Sequence, residues 1–172
     1  MTDTAAAGGL NDASGKTDSS YDMLRLENQL CFPLYACSRE IVKKYKPFLD
    51  ELDLTYTQYI TMMVMWERKQ MNVKELGKKL FLDSGTLTPV LKKLEAKGYI
   101  TRERSKDDER NLIVRITEKG EDLKEHACSI PARMASCLTL EREDAVALKN
   151  ILDKLMLQFD QNEDSGGGCS VV

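Results

Sequence analysis

The stretch NVKELGKKLFLDSGTLTPVLKKLEAKGYI, residues 72–100, decides the fold. Asn72 stands as a side-chain cap ahead of Val73-Lys-Glu-Leu-Gly-Lys-Lys-Leu80, and Phe81-Leu82 makes a tight turn. Asp83 or Ser84 then caps a second helix, Thr86 to Lys97, which Gly98 ends. Two short helices across a tight turn read as a helix-turn-helix.

Beyond Gly98 the hydrophobic period changes from helical to alternating. Tyr99 and Ile100 open one strand, Leu112, Val114 and Ile116 share one face of another, and the charged stretch Ser105 to Arg110 joins them as a hairpin wing. Upstream, a helix follows Thr55 with Tyr59, Met62, Met63 and Trp66 apolar. Before it, Leu34, Ile41, Phe48 and Leu52 recur at helical spacing, with Lys43, Lys44 and Lys46 on the other face. Asn28 reads as the cap of this first helix and Pro33 fixes its start, while Pro47 leaves it either straight or bent. Downstream, Thr117-Glu-Lys-Gly120 starts a helix, and Leu140 to Phe159 forms a C-terminal one with a stripe of Leu148, Ile151, Leu152, Leu155 and Phe159.

The expected class is mainly α with a small β-hairpin: a winged helix-turn-helix flanked by N- and C-terminal helices. Residues 1–20 carry almost no large apolar side chains and are expected to be a disordered arm, and 162–172 a flexible tail. The domain between them, 21–161, divides into a DNA-binding part at about 55–117 and flanking helices at about 28–52 and 118–161.

Across 172 residues the formal charge is −3, but from Lys92 to Arg115 eight basic residues face five acidic ones. The chain is acidic with one basic segment, which directs a nucleic-acid partner to that segment. Small hydroxyl residues at the start of the second paired helix, Ser84, Thr86 and Thr88, suit phosphate oxygens and base edges, and Lys92 and Lys93 suit phosphates. Taken alone, these residues read more readily as caps and a solvated face. The wing adds Arg102, Arg104 and Arg110, the last at its tip where an arginine can enter a narrow minor groove, with Asp108 placed to orient it.

No apolar run approaches a membrane span, and the polar N-terminus has no signal-peptide core, so a cytoplasmic protein without a membrane partner is expected. Five cysteines without framework spacing argue for reduced thiols, and a single histidine, His126, with no C-x-x-C pair argues against zinc. No cofactor is expected. The ending Cys169-Ser-Val-Val172 fits a prenylation pattern, but no polybasic segment precedes it.

Cys31 falls near a helix start, a position that can favour the thiolate, the form that attacks peroxides. Tyr35, four residues on, shares its helical face and can donate to it. The plainer reading of Cys31 is a small core residue. Phe32, Met62, Met65 and Trp66 read either as an apolar pocket that selects alkyl peroxides or as ordinary core.

The order helix-turn-helix, hairpin, Asp108-Glu-Arg110 and Ile116-Thr117 resembles the MarR family over about 60–120. The strings Leu26-Glu-Asn-Gln-Leu-Cys31-Phe-Pro-Leu-Tyr35, Leu54-Thr-Tyr56-Thr-Gln-Tyr59 and Leu82-Asp-Ser-Gly-Thr-Leu-Thr-Pro89 are similar to its OhrR branch of organic-hydroperoxide sensors, over about 24–159. The resemblance implies a homodimeric transcriptional repressor, not an enzyme, that binds a palindromic double-stranded operator until an organic hydroperoxide oxidises Cys31. It further implies that Tyr35 and Tyr45 hydrogen-bond the reduced thiol. On a continuous helix Tyr45 lies ~21 Å from Cys31, so it would have to come from the other subunit. The two-cysteine subgroup carries a resolving cysteine after a proline beyond the wing. Cys137, after Pro131, is the nearer match and Cys128 the second, with an external thiol also open. Cys37 is excluded, because six residues along a straight helix it cannot bridge to Cys31. Two other readings stand beside this one. The first is a MarR-like repressor that binds a small aromatic ligand reversibly with Cys31 inert. The second is a thiol peroxidase, which leaves the basic wing unexplained.

Overall fold

The computed structural model describes residues 21–105 and 111–165, with side chains described through Asp160. Asp108 and Arg110 at the wing tip, Cys169, and the segments 1–20 and 166–172 lie outside the described residues. A short 3-10 turn, Leu26–Asn28, leads into α1 (Cys31–Asp50), α2 (Tyr56–Arg68), β1 (Gln70–Asn72), α3 (Val73–Leu80), α4 (Ser84–Ala96), β2 (Ile100–Arg104), β3 (Leu112–Ile116), α5 (Glu118–Ala127), α6 (Ile130–Ser136) and α7 (Arg142–Ser165). The chain divides into two compact units, one ending at Ala127 and the other beginning at Cys128.

Local chemistry sets most of these boundaries. Thr55 and Gln58 form a reciprocal capping box at the start of α2, each side chain accepting from the other's backbone N–H, at 3.3 and 3.0 Å. Asn72 Oδ1 accepts from the N–H groups of Lys74 and Glu75 at 2.7 and 3.3 Å, and Asp83 Oδ1 accepts from Thr86 N–H at 2.9 Å. Phe81, with φ +52°, closes α3 in the left-handed region, and Gly98, with φ +77°, closes the turn after α4.

Four expectations change. Asn28 caps nothing: it belongs to the 3-10 turn, and its side-chain amide donates to the Asp22 carbonyl at 2.7 Å. Leu30 precedes α1 and offers no side-chain cap. The hairpin is part of a three-stranded antiparallel sheet, because β1 pairs with β3 through Gln70↔Arg115, Met71↔Val114 and Asn72↔Ile113, giving the order β1-β3-β2. The C-terminal region is three helices, with Pro131 in the first turn of α6, and α7 continues to Ser165, past the expected start of the tail. Pro47 does not interrupt α1.

The core of the first unit is organised on α2. Met62 and Met65 are fully buried and Trp66 nearly so. Of the two readings of these three side chains, pocket or ordinary core, their burial favours core. α2 packs against α1, α3, α4 and α5 and against β1 and β3. From the opposite side come Leu76, Leu87, Leu91, Leu94, Ile100 and Val114, all at most 1% exposed. The Trp66 indole N–H donates to the Gly120 carbonyl at 2.7 Å, and a Cβ at Gly120 would overlap the Tyr99 carbonyl oxygen.

Two ion pairs fix α4 at its C-terminal end. The Glu95 carboxylate accepts from the Arg102 backbone N–H at 3.1 Å and from its Nε at 3.0 Å, tying α4 to β2. Lys97 Nζ donates to the Asp53 backbone carbonyl and pairs with its carboxylate at 2.8 Å, tying α4 to the turn between α1 and α2.

Gly120→Ala forces a methyl group against backbone and is expected to destabilise the protein by about 1–3 kcal/mol, the usual range for overpacking, measured by urea denaturation. The hydrogen bond from Arg102 holds the Glu95 carboxyl below its ordinary value of 4.5. Its stabilisation is therefore present at neutral pH and lost as pH falls through that lowered value. Glu95→Gln should lower the urea midpoint at pH 7, and the gap from wild type should shrink steadily below pH 4.5. A gap independent of pH would contradict the ion pair.

Candidate DNA-reading face and thiol site

Helix α4 buries Leu87, Leu91 and Leu94 and turns the opposite side outward. At i, i+4, i+7 and i+11 spacing this outer stripe reads Gly85, Pro89, Lys92 and Ala96, all exposed, with Ser84, Thr86, Thr88 and Lys93 along its edges. The side chain of Asp83 shapes the first turn. Its carboxylate accepts from the Thr86 hydroxyl at 2.7 Å as well as from the Thr86 N–H, and these bonds hold the Asp83 carboxyl below the usual range. With its proton committed to Asp83, the Thr86 hydroxyl offers only lone pairs outward, so it suits an amino group on a base rather than a phosphate oxygen. Lys92 lies on the outer stripe. Lys93 lines a cavity of about 320 Å³ with Asp50, Asp53, Thr55, Gln58 and Lys97, beside the α1–α2 turn.

The sheet continues this surface. β2 and β3 pair from Ile100↔Ile116 to Arg104↔Leu112, and Ser105 N–H donates to the Asn111 carbonyl at 2.8 Å, closing the base of the wing. Arg104 is exposed next to that base. Arg102, expected as a DNA contact, is placed otherwise. Its side chain is only 18% exposed and its guanidinium is engaged by Glu95, so it braces the fold. The reason is register: Arg102 faces back onto α4, while its neighbours on the strand, Thr101 and Glu103, are exposed.

Cys31 is the first residue of α1 and is exposed. That helix end carries the positive pole of the peptide dipoles and no side-chain cap. Tyr35, one turn along, is exposed too. Its hydroxyl accepts from Arg39 Nη1 at 2.8 Å, and the guanidinium sits 5.4 Å from its ring centroid. A hydroxyl that accepts from a cation keeps its own proton available and polarised for donation. Phe32 is exposed beside Cys31, unlike the three core residues once grouped with it.

Tyr45 lies on the same continuous α1, ~21 Å from Cys31 by helical rise. Its ring packs 5.0 Å from Tyr56 and 6.0 Å from Tyr59, and Tyr59 in turn lies 6.2 Å from Trp66. Burial raises the hydroxyls of Tyr45, Tyr56 and Tyr59 above 10.0, so all three are protonated donors at neutral pH. Tyr56 was not singled out from the sequence, although it stands in the string Leu54-Thr-Tyr56-Thr-Gln-Tyr59. Only its contact with Tyr45 marks it. Cys37 is exposed on α1; in the second unit, Cys128 is exposed and Cys137 is the exposed residue that ends α6.

Residues 43–127 match the family described as the transcriptional regulator SarA/Rot. The organic hydroperoxide resistance transcriptional regulator of Bacillus subtilis is 48% identical over 144 residues, covering 84% of this chain and 98% of that protein. The regulator SarZ of Staphylococcus saprophyticus is 49% identical over 138 residues, covering 80% and 94%. Among solved structures, reduced AbfR bound to DNA is 33% identical with a TM-score of 0.70, covering 83% of this chain and 97% of its own. AbfR has also been solved overoxidised on DNA and in a disulfide form. The winged helix, the basic hairpin and 48% identity to the organic hydroperoxide resistance regulator over 98% of its length agree, and the chain belongs to the MarR family of transcriptional regulators, in its OhrR-type branch.

Proposed function

We propose that the reduced protein is a homodimeric repressor that holds a palindromic operator and releases it when an organic hydroperoxide oxidises Cys31. The observation that carries this reading is the exposed Cys31 thiol at the uncapped start of α1, with residue Tyr35, whose hydroxyl is bonded to Arg39, one helical turn along. The thiolate sulfur attacks the distal oxygen of ROOH, the O–O bond breaks, and Cys31 leaves as sulfenic acid while the alkoxide takes a proton and departs as alcohol. Tyr35 would supply a hydrogen bond to the sulfur or the departing oxygen. Tyr45, held by Tyr56, would meet Cys31 only as Tyr45 of the partner subunit, because the helix separates the two within one chain.

The second copy is also called for by exposed apolar surface. Tyr21, Met23, Leu24, Leu26 and Leu30 ahead of α1 are all more than half exposed. Separately, α7 exposes Val146, Leu148, Ile151, Met156, Leu157 and Phe159. Large apolar side chains left exposed in such number call for a cover, and a second copy of this chain would supply it. On the operator, Ser84, Thr86, Thr88 and Lys92 face the groove, Lys93 and Arg104 flank it, and Asp108 and Arg110 serve the wing tip. A thiol of the partner subunit then condenses with the sulfenic acid, losing water to form a disulfide, and Cys137 is the first choice over Cys128.

Cumene hydroperoxide should release the reduced wild type from a palindromic duplex, with Cys31 gaining oxygen or entering a disulfide by mass spectrometry. Cys31→Ser should bind the duplex and stay bound. Release with Cys31 unmodified would remove the thiol mechanism in favour of a reversibly bound ligand. On a non-reducing gel, peroxide-treated wild type should run as a covalent dimer and Cys137→Ser as a monomer; a band kept by Cys137→Ser and lost by Cys128→Ser transfers the resolving role.

A further inference from the structure

We propose that Pro89 reads the methyl group of a thymine in the major groove and gives α4 its discrimination at that base pair. The inference rests on α4 being the reading helix, as proposed above. Pro89 is the sixth residue of α4, beyond the first turn where proline is tolerated. Having no N–H, it cannot donate to the carbonyl of Gly85 four residues earlier, so the helix gives up a bond at this position. Nothing in the fold asks for that loss. The packing side of α4 is Leu87, Leu91 and Leu94, and Pro89 is exposed on the other side.

What the ring does offer is an apolar, rigid surface at the centre of the outer stripe. Gly85 and Ala96 on the same stripe carry little or no side chain, so the ring is not overshadowed, and Lys92 one turn later supplies charge without specificity. Along the major groove, the only apolar group a base pair presents is the C5 methyl of thymine. The Pro89 ring, exposed on the outward stripe, therefore has one matching group in the groove, the thymine methyl.

The test uses full-length reduced protein and the tightest duplex that it selects from a random-sequence library. Each thymine of a half-site is replaced by deoxyuridine, which deletes only the methyl. Wild type should lose about fourfold in affinity at one position per half-site, the worth of one buried methyl-sized group. Pro89→Ser restores the helical N–H and should fold at least as well, which its thermal midpoint checks. It should bind the thymine and deoxyuridine duplexes alike at that position, with an unchanged salt slope. A wild type insensitive to every replacement, or a Pro89→Ser that keeps the discrimination, overturns the proposal while leaving DNA binding by α4 intact. Failure of wild type to bind any duplex would instead overturn the reading beneath it.

Discussion

The buried hydrogen bond from the Trp66 indole to the Gly120 carbonyl is the constraint around which the winged unit is arranged. An indole N–H left unpaired in a core costs about 1–3 kcal/mol, so the last turn of α2 needs an acceptor that arrives without a side chain in the way. Gly120 provides it, and its missing Cβ also lets α5 approach the Tyr99 carbonyl. Thr117 completes the junction: its N–H donates to the Tyr99 carbonyl at 3.0 Å, and its hydroxyl donates to the Gly98 carbonyl at 2.6 Å and accepts from Gly120 N–H at 3.1 Å. Four chain segments therefore meet at one node: the end of α4, the start of β2, the end of β3 and the start of α5. With Leu87, Leu91 and Leu94 also buried, the reading helix and the wing are held on one frame, which is α2.

Against that frame α1 is held at one end only. Leu49 is 2% exposed, Tyr45 packs on Tyr56 and Tyr59, and the turn after α1 is tied to α4 through Asp53 and Lys97. Towards Cys31 the helix has no comparable anchor among the described residues: Phe32, Leu34, Tyr35 and Val42 are all exposed. Under the function proposed above, α1 would join Cys31 to the contact between Asp53 and Lys97 at the C-terminal end of α4.

What the sequence disclosed was governed by range. Asn72, Asp83, Thr55 and Gly98 act on residues within four positions, and their spacing alone located three helix starts and one stop. Strand β1 went unseen because three residues carry no alternation, and only pairing with β3, more than forty positions away, makes them a strand. Asn28 was misread because a polar residue near a helix start has several backbone groups to choose from, and the Asp22 carbonyl won. Arg102 was counted with the wing because its charge was visible while its partner, Glu95, lies across an element boundary. Met62, Met65 and Trp66 form the same apolar pattern whether they line a pocket or a core, so periodicity could not separate the two. That Cys31 and Tyr35 lie one turn apart on one helix was legible from their spacing.

A chain with net charge −3 is an unpromising ligand for DNA until the charges are placed. On α1, Lys43 is paired with Glu40 and Lys46 with Asp50; on α7, Lys149 is paired with Asp153. Those lysines are neutralised within their own helices and add little field beyond a few ångströms. The carboxylates of the reading region are used differently. Asp83 keeps its charge but is turned into the first turn of α4 by Thr86, and Glu95 is compensated by Arg102. Lys92 and Arg104 remain exposed on that side. Salt screens exposed charges over about 10 Å at 0.1 M, so acidic residues farther away than that weigh little at this surface. Binding polarity here follows from which carboxylates the fold has already engaged, and the sum over the chain is a poor guide to it.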